Sequence, residues 1–116
     1  MNQRILIIDV DVSVHCRFIE LLAKYPVEVY SLFCPKDAML FLARTSVDVI
    51  FTELMLPNMN GLEFVRQIKT KPCLSRVNFL SSQSIELSLK EMDAYDIDHV
   101  FNKQTVSNKE ILATVI

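Results

Sequence analysis

Glycine is almost absent from this chain: Gly61 is the only one in 116 residues. That scarcity removes several chemistries at once. A nucleophile elbow of the form G-x-S-x-G cannot be written with one glycine, and neither can a glycine-rich phosphate cradle. The segment "DVDVSV" after the first apolar run has no glycine and one serine, which argues against a flavin phosphate site there. Cysteine is equally uninformative as chemistry. Cys16, Cys34 and Cys73 are odd in number, widely spaced and contain no C-x-x-C, so a disulfide framework, a zinc site and a dithiol redox enzyme are all disfavoured. They are expected to be reduced, mostly buried thiols of a cytoplasmic protein. There is no basic excess. A net charge of −2 argues against direct nucleic-acid binding. No apolar run approaches membrane-spanning length, and "MNQRILIIDV" is too short for a signal peptide. The two histidines, His15 and His99, are isolated, and His15 is expected on a helix surface.

What remains is a chain of one-domain length, 51% hydrophobic and 22% charged, a globular composition. Short apolar runs alternate with amphipathic stretches. "RILIID" is a continuous run of the kind buried on both faces of a sheet, followed by "SVHCRFIELLAKY", whose Val14, Phe18, Leu21 and Leu22 recur at helical spacing. Arg17, Glu20 and Lys24 fall on the other side of that helix. "VEVYSLF" alternates as a strand, and Pro35 opens "PKDAMLFLAR" at a position a helix's first turn tolerates. "VDVIFT", "VNFL" and "HVFN" read as three further strands. "GLEFVRQIKT", "SIELSLKEMDAY" and "SNKEILATVI" read as helices, the last with Ser107 as N-cap and Glu110 three residues on. Five strand–helix repeats predict an α/β fold: a five-stranded parallel sheet with helices on both faces, flavodoxin-like. The short final helix is consistent with a domain trimmed from a longer protein as well as with a plain terminal helix.

Ligands of such sheets bind beyond the carboxyl ends of the strands. Asp9, Val10 and Asp11 follow the first strand, and Glu53, Leu54 and Met55 the third. Ser81 and Ser82 follow the fourth, and Asn102 and Lys103 the fifth. Carboxylates, a hydroxyl and an ammonium on one edge are a set suited to a divalent cation and a phosphoryl group.

With these residues in view, the whole chain resembles the receiver domains of bacterial response regulators. The resemblance rests on "ILIID", "DVIFTELMLPNMNG", "FLSS" and "FNK", and above all on "ELMLPNMNG", whose Pro57, Met59 and Gly61 keep the family's loop frame. It implies a two-component or phosphorelay signalling module, not an enzyme, in which an Asp accepts a phosphoryl group beside Mg²⁺. Carried onto this chain, Glu53 stands where the phosphoacceptor Asp would be. Asp9 fills the first acidic position, and Val10 replaces the second, usually the principal metal ligand. Met55 would supply a metal-binding carbonyl, so the implied metal set is Asp9, Glu53 and Met55, and the expectation is no cofactor or a weakened Mg²⁺ site. Ser81 and Lys103 match the phosphoryl-contacting hydroxyl and lysine. Gln104 replaces a proline that is usually preceded by a cis peptide, and Val100 replaces the switch aromatic, with Phe101 on the opposite face of the strand.

Glu is one methylene longer than Asp, moving the carboxylate by up to roughly 1.5 Å, a bond length. In-line transfer depends on positioning, and about 1 Å of misplacement costs on the order of 100-fold. The resemblance therefore points to a pseudo-receiver, a phosphorylation-independent regulatory interaction module. A receiver that tolerates Glu53 is the alternative, and a small α/β enzyme or flavin carrier a remote one. Asp11 either turns inwards as a substitute carboxylate or caps the first helix. Glu53 either is solvated or pairs with Lys103, a pair that would imitate the charge arrangement of a phosphorylated receiver. Ser81 either keeps its contact role or caps a turn. The implied partners are a protein or a fused output domain, with a homodimer through the region 84–116, including Lys90, Glu91, Val100 and Phe101, as the family's usual contact surface. Neither nucleic acid nor membrane is implied.

Overall fold

In the computed structural model, which describes residues 2–69, 75–82 and 89–115, strands and helices alternate along the chain. They are β1 (Gln3–Ile8), α1 (Val12–Leu22), β2 (Val27–Leu32), α2 (Pro35–Leu42), β3 (Val49–Glu53), β4 (Met55–Leu56), β5 (Met59–Asn60), α3 (Gly61–Ile68), β6 (Arg76–Ser81), α4 (Leu89–Ala94), β7 (Ile97–Asn102) and α5 (Asn108–Val115). Five strands form one parallel sheet in the order β2-β1-β3-β6-β7. The order reverses at β1, which places a crevice at the carboxyl ends of β1 and β3. The expected flavodoxin-like architecture is the one observed.

The all-apolar strands are explained by two cores, one on each face. Ile5, Ile7, Val49, Phe51 and Leu80 point towards Phe18 and Leu22 of α1 and Ile111 and Val115 of α5. Leu6, Ile8, Ile50, Val77 and Phe79 point towards Ala38 of α2 and Phe64 and Val65 of α3. Val100 packs at the edge of the second core and Phe101 at the edge of the first, as strand alternation requires. β3 is buried along its whole length, the mark of a central strand.

Local chemistry sets the helix starts. Pro35 occupies the first turn of α2. Asn60 accepts the Glu63 N–H at 2.8 Å and caps α3. Ser107 and Glu110 exchange hydrogen bonds at 3.1 and 3.0 Å, the reciprocal capping box expected for α5.

Several expectations need correction. His15 is not a surface residue: it is buried, with Nε2 2.8 Å from the Asp9 carbonyl and its ring 4.3 Å from that of Phe33. Its ring packs against Phe33, the residue after β2, and its Nε2 is tied to the strand end at Asp9. Cys16 is exposed and Cys34 half-buried, both free, so burial of the thiols does not hold for these two; Cys73 lies outside the described residues. The stretch expected as a helix from Ser84 is described only from Leu89, as the six-residue α4, and the rest of it lies outside the described residues.

Candidate functional site

Residues 53–61 were expected to be a loop, yet they contain a small antiparallel hairpin. Met55 pairs with Asn60 and Leu56 with Met59. Pro57 and Asn58 form its turn, and Asn58 takes φ 64°, a left-handed value that Asn tolerates in turns. The hairpin returns the chain so that the Gly61 N–H donates to the Leu54 carbonyl at 2.6 Å. A Cβ on Gly61 would lie 2.7 Å from the Phe79 ring and 2.8 Å from the Glu53 carbonyl. The single glycine is thus required by close approach to the backbone that carries Glu53.

The strand ends converge through backbone hydrogen bonds just past the ladders. The Asp9 N–H donates to the Leu32 carbonyl, the Leu54 N–H to Leu80, and the Lys103 N–H to Ser81. Asp9, Glu53, Ser81 and Lys103 are thereby held on one edge. Lys103 Nζ lies 2.6 Å from Asp9 Oδ2 and 2.8 Å from Glu53 Oε1. Asp9 is fully buried, Glu53 nearly so, and the lysine side chain is only 14% exposed. Each carboxylate has a second anchor. Asp9 Oδ1 accepts the Asp11 N–H at 2.9 Å, and Glu53 Oε2 accepts the Leu54 N–H at 2.6 Å. Burial alone would lower the pKa of the Lys103 ammonium. Hydrogen bonds to Asp9 and Glu53, and their charges, outweigh burial and hold it above the ordinary lysine range.

The other sequence candidates separate from this cluster. Asp11 is exposed and caps α1: its Oδ1 accepts the Ser13 hydroxyl at 2.7 Å and the Ser13 N–H at 2.9 Å. Those bonds hold its carboxyl below the usual range. Its carboxylate does not turn inwards to replace the one missing at Val10, although its N–H is bonded to Asp9 and it lines the cavity beside Lys103. Val10 and Met55 are exposed. Ser81 is buried at the end of β6, opposite Asn102 in register. Gln104 is exposed, its N–H on Asn102 Oδ1, and no cis peptide occurs among the described residues.

Arg17 is a residue that sequence reasoning set aside on the outer side of α1. It reaches across to the loop after β7, where its guanidinium donates to the carbonyls of Lys103 (3.3 Å) and Val106 (2.6 Å) and to Asn108 Oδ1 (3.0 Å). The contact joins residues 86–91 positions apart, so no local pattern announces it. A cavity of about 270 Å³ opens alongside, lined in part by Ser13, Arg17, Ser82 and Lys103.

A magnesium ion needs near-octahedral oxygen ligation. Here both buried carboxylates are engaged by one ammonium and by backbone N–H groups, and an exposed isopropyl group stands at Val10. This donor set does not fit the ion.

The family model described as response regulator receiver domain matches residues 5–116. No curated relative matches the sequence. Among solved structures, the chain is similar to the signal receiver domain of a putative Luxo repressor protein from Vibrio parahaemolyticus, with 17% identity, TM-score 0.88, and coverage of 99% of this chain and 88% of that one. It is similar to the chemotaxis response regulator CheY4 of Vibrio cholerae, with 19% identity, TM-score 0.85, and coverage of 98% and 96%. It is also similar to the receiver domain of Ssk1 from Saccharomyces cerevisiae, crystallised with the histidine phosphotransfer protein Ypd1, with 14% identity, TM-score 0.82, and coverage of 98% and 86%. The family match covers nearly the whole chain: the chain belongs to the response regulator receiver domain family.

Proposed function

We propose that this receiver domain is a pseudo-receiver, a regulatory interaction module of a two-component or phosphorelay system that works without aspartyl phosphate. The observation that carries this reading is the ion cluster: Lys103 sits between Glu53 and Asp9 at 2.8 and 2.6 Å, and Glu53 Oε2 is bonded by the Leu54 N–H. A phosphoryl acceptor needs a free carboxylate oxygen aligned with its donor. Here one oxygen is held by an ammonium and the other by the backbone, on a side chain one methylene too long.

The same cluster supports a fixed state. An ammonium already drawn onto the acceptor position by a permanent carboxylate imitates the charge pairing that phosphorylation would otherwise create. On this reading the domain is cytoplasmic and non-enzymatic. It regulates a protein partner or a fused output domain, and self-association is expected through the described part of region 84–116, residues 89–115. Glu53→Gln tests the imitation, since an unchanged oligomeric state and output would remove it.

The experiment for the function itself is incubation with Mg²⁺ and acetyl phosphate, followed by the mass of the intact protein. The expected result is no adduct. A gain of one phosphoryl group that disappears in Glu53→Gln would establish instead a receiver that tolerates glutamate.

A further inference from the structure

The cavity beside the ion cluster carries two charged groups with no partner of opposite sign. It lies between the start of α1, the end of β6 and the loop after β7, and holds about 270 Å³. That is just below the range of drug-sized sites, so it suits a smaller molecule. Its floor is part of the core: Phe18, Leu80 and Val106 are all buried. Its rim holds Asp11, Arg17 and Lys103. The Lys103 ammonium is already engaged by Asp9 and Glu53. Asp11 and Arg17 are not: neither belongs to an ion pair among the described residues.

The hydrogen bonds of these two groups show what each still offers. Arg17 donates from Nε and Nη2 to Asn108 Oδ1, from Nη2 to the Val106 carbonyl, and from Nη1 to the Lys103 carbonyl. The second Nη1 N–H has no partner among the described residues. Every acceptor is neutral, so a half-buried cation stands without a counterion, a costly arrangement. Asp11 uses Oδ1 for both bonds from Ser13, and Oδ2 is left without a partner among the described residues. Those bonds hold its carboxyl below the ordinary range, so it is charged at neutral pH. An unpaired carboxylate oxygen and an unpaired guanidinium N–H thus stand over an apolar floor. Their complement is a small molecule with one cation and one anion on an apolar body.

We propose that this cavity binds a free α-amino acid with an apolar side chain. Its carboxylate takes the open Nη1 N–H of Arg17, its ammonium takes Asp11 Oδ2, and its side chain lies on Phe18, Leu80 and Val106. An apolar acid would satisfy only Arg17, and an apolar amine only Asp11. The site goes beyond the pseudo-receiver reading, since it needs neither a free Glu53 oxygen nor a metal. It reaches the ion cluster through Arg17, whose guanidinium also holds the carbonyls of Lys103 and Val106. An anion drawn onto Arg17 therefore acts on the loop that carries the cluster's cation.

The test titrates the intact chain with L-leucine while its amide resonances are followed. The controls are isocaproate, which lacks the ammonium, isoamylamine, which lacks the carboxylate, and free glycine, which lacks the side chain. The expected result is saturable shifts at Asp11, Ser13, Arg17, Ser82 and Val106 with leucine, and binding at least tenfold weaker for each control. Asp11→Asn keeps an N-cap of equal quality and removes only the charge. It is expected to weaken leucine binding at least tenfold with an unchanged urea midpoint. Arg17→Met is expected to weaken it as much, and Asp11→Asn keeps the test decisive if that variant loosens the loop. Any control binding as tightly as leucine, full leucine binding by Asp11→Asn, or no saturable shift at these amides would each overturn the proposal. The experiment contains neither metal nor phosphoryl donor, so its outcome and that of the acetyl phosphate assay are read separately.

Discussion

Two ion clusters link strands of the same sheet and behave in opposite ways. Arg4 and Glu28 bridge β1 and β2 at 3.1 Å, with side chains 45 and 47% exposed. Lys103, its side chain 14% exposed, bridges the ends of β7, β1 and β3 through two buried carboxylates. In water the first pair gains little, because solvent screens it and two long side chains must be ordered. In the interior the second is costly to break, since removing Lys103 leaves two buried carboxylates without their counterion. The contrast shows which charges the fold has taken out of water and which it has left there.

The strongest way to break the comparison is Lys103→Met, which strands Asp9 and Glu53 side by side. It is expected to cost about 3–5 kcal/mol in urea unfolding, the range for breaking a buried ion pair. The same residue sets a pH dependence. Its folded pKa is raised, so the folded state holds the proton more tightly than the unfolded chain. Its contribution is complete below the unfolded lysine value of about 10.4 and is lost as pH climbs through the folded value. Urea midpoints should therefore fall above that point in the native chain and lose this alkaline component in Lys103→Met.

Gly61→Ala is next. Its methyl group would meet the Glu53 carbonyl and the Phe79 ring, so a cost of about 1–3 kcal/mol is expected, as for overpacking, with shifted Glu53 and Leu54 amides. Arg17→Ala removes the guanidinium bonds to the loop behind Lys103 and should cost about 1–2 kcal/mol, with amide shifts at Lys103 and Val106. At the other end of the scale, Arg4→Ala should cost about 0.5 kcal/mol or less and leave the site's amides unmoved. A larger loss would mean that the exposed pair is not screened as described.

The fold was legible because its signals are periodic. Continuous apolar strands, Pro35 at a helix start and the Ser107–Glu110 box each carry their meaning within a few residues. Asp9, Glu53, Ser81 and Lys103 could be brought to one edge because a parallel sheet gathers its strand ends there. The hairpin around Pro57 and Asn58 escaped because two-residue strands are too short to alternate. His15 escaped because it packs against Phe33, eighteen positions away, and Arg17 because its acceptors come from the far end of the chain. The role of Asp11 was left open between two readings. The neighbouring Ser13, whose hydroxyl and N–H both donate to it, gives it to the helix.

The most direct test of the central claim is a titration of the protein with Mg²⁺ and beryllofluoride while the amides of Glu53, Leu54, Ser81 and Lys103 are followed. The account predicts that these resonances stay where they are at every concentration, because Lys103 already holds both carboxylates. Saturable shifts at these positions that require both metal and beryllofluoride would contradict it.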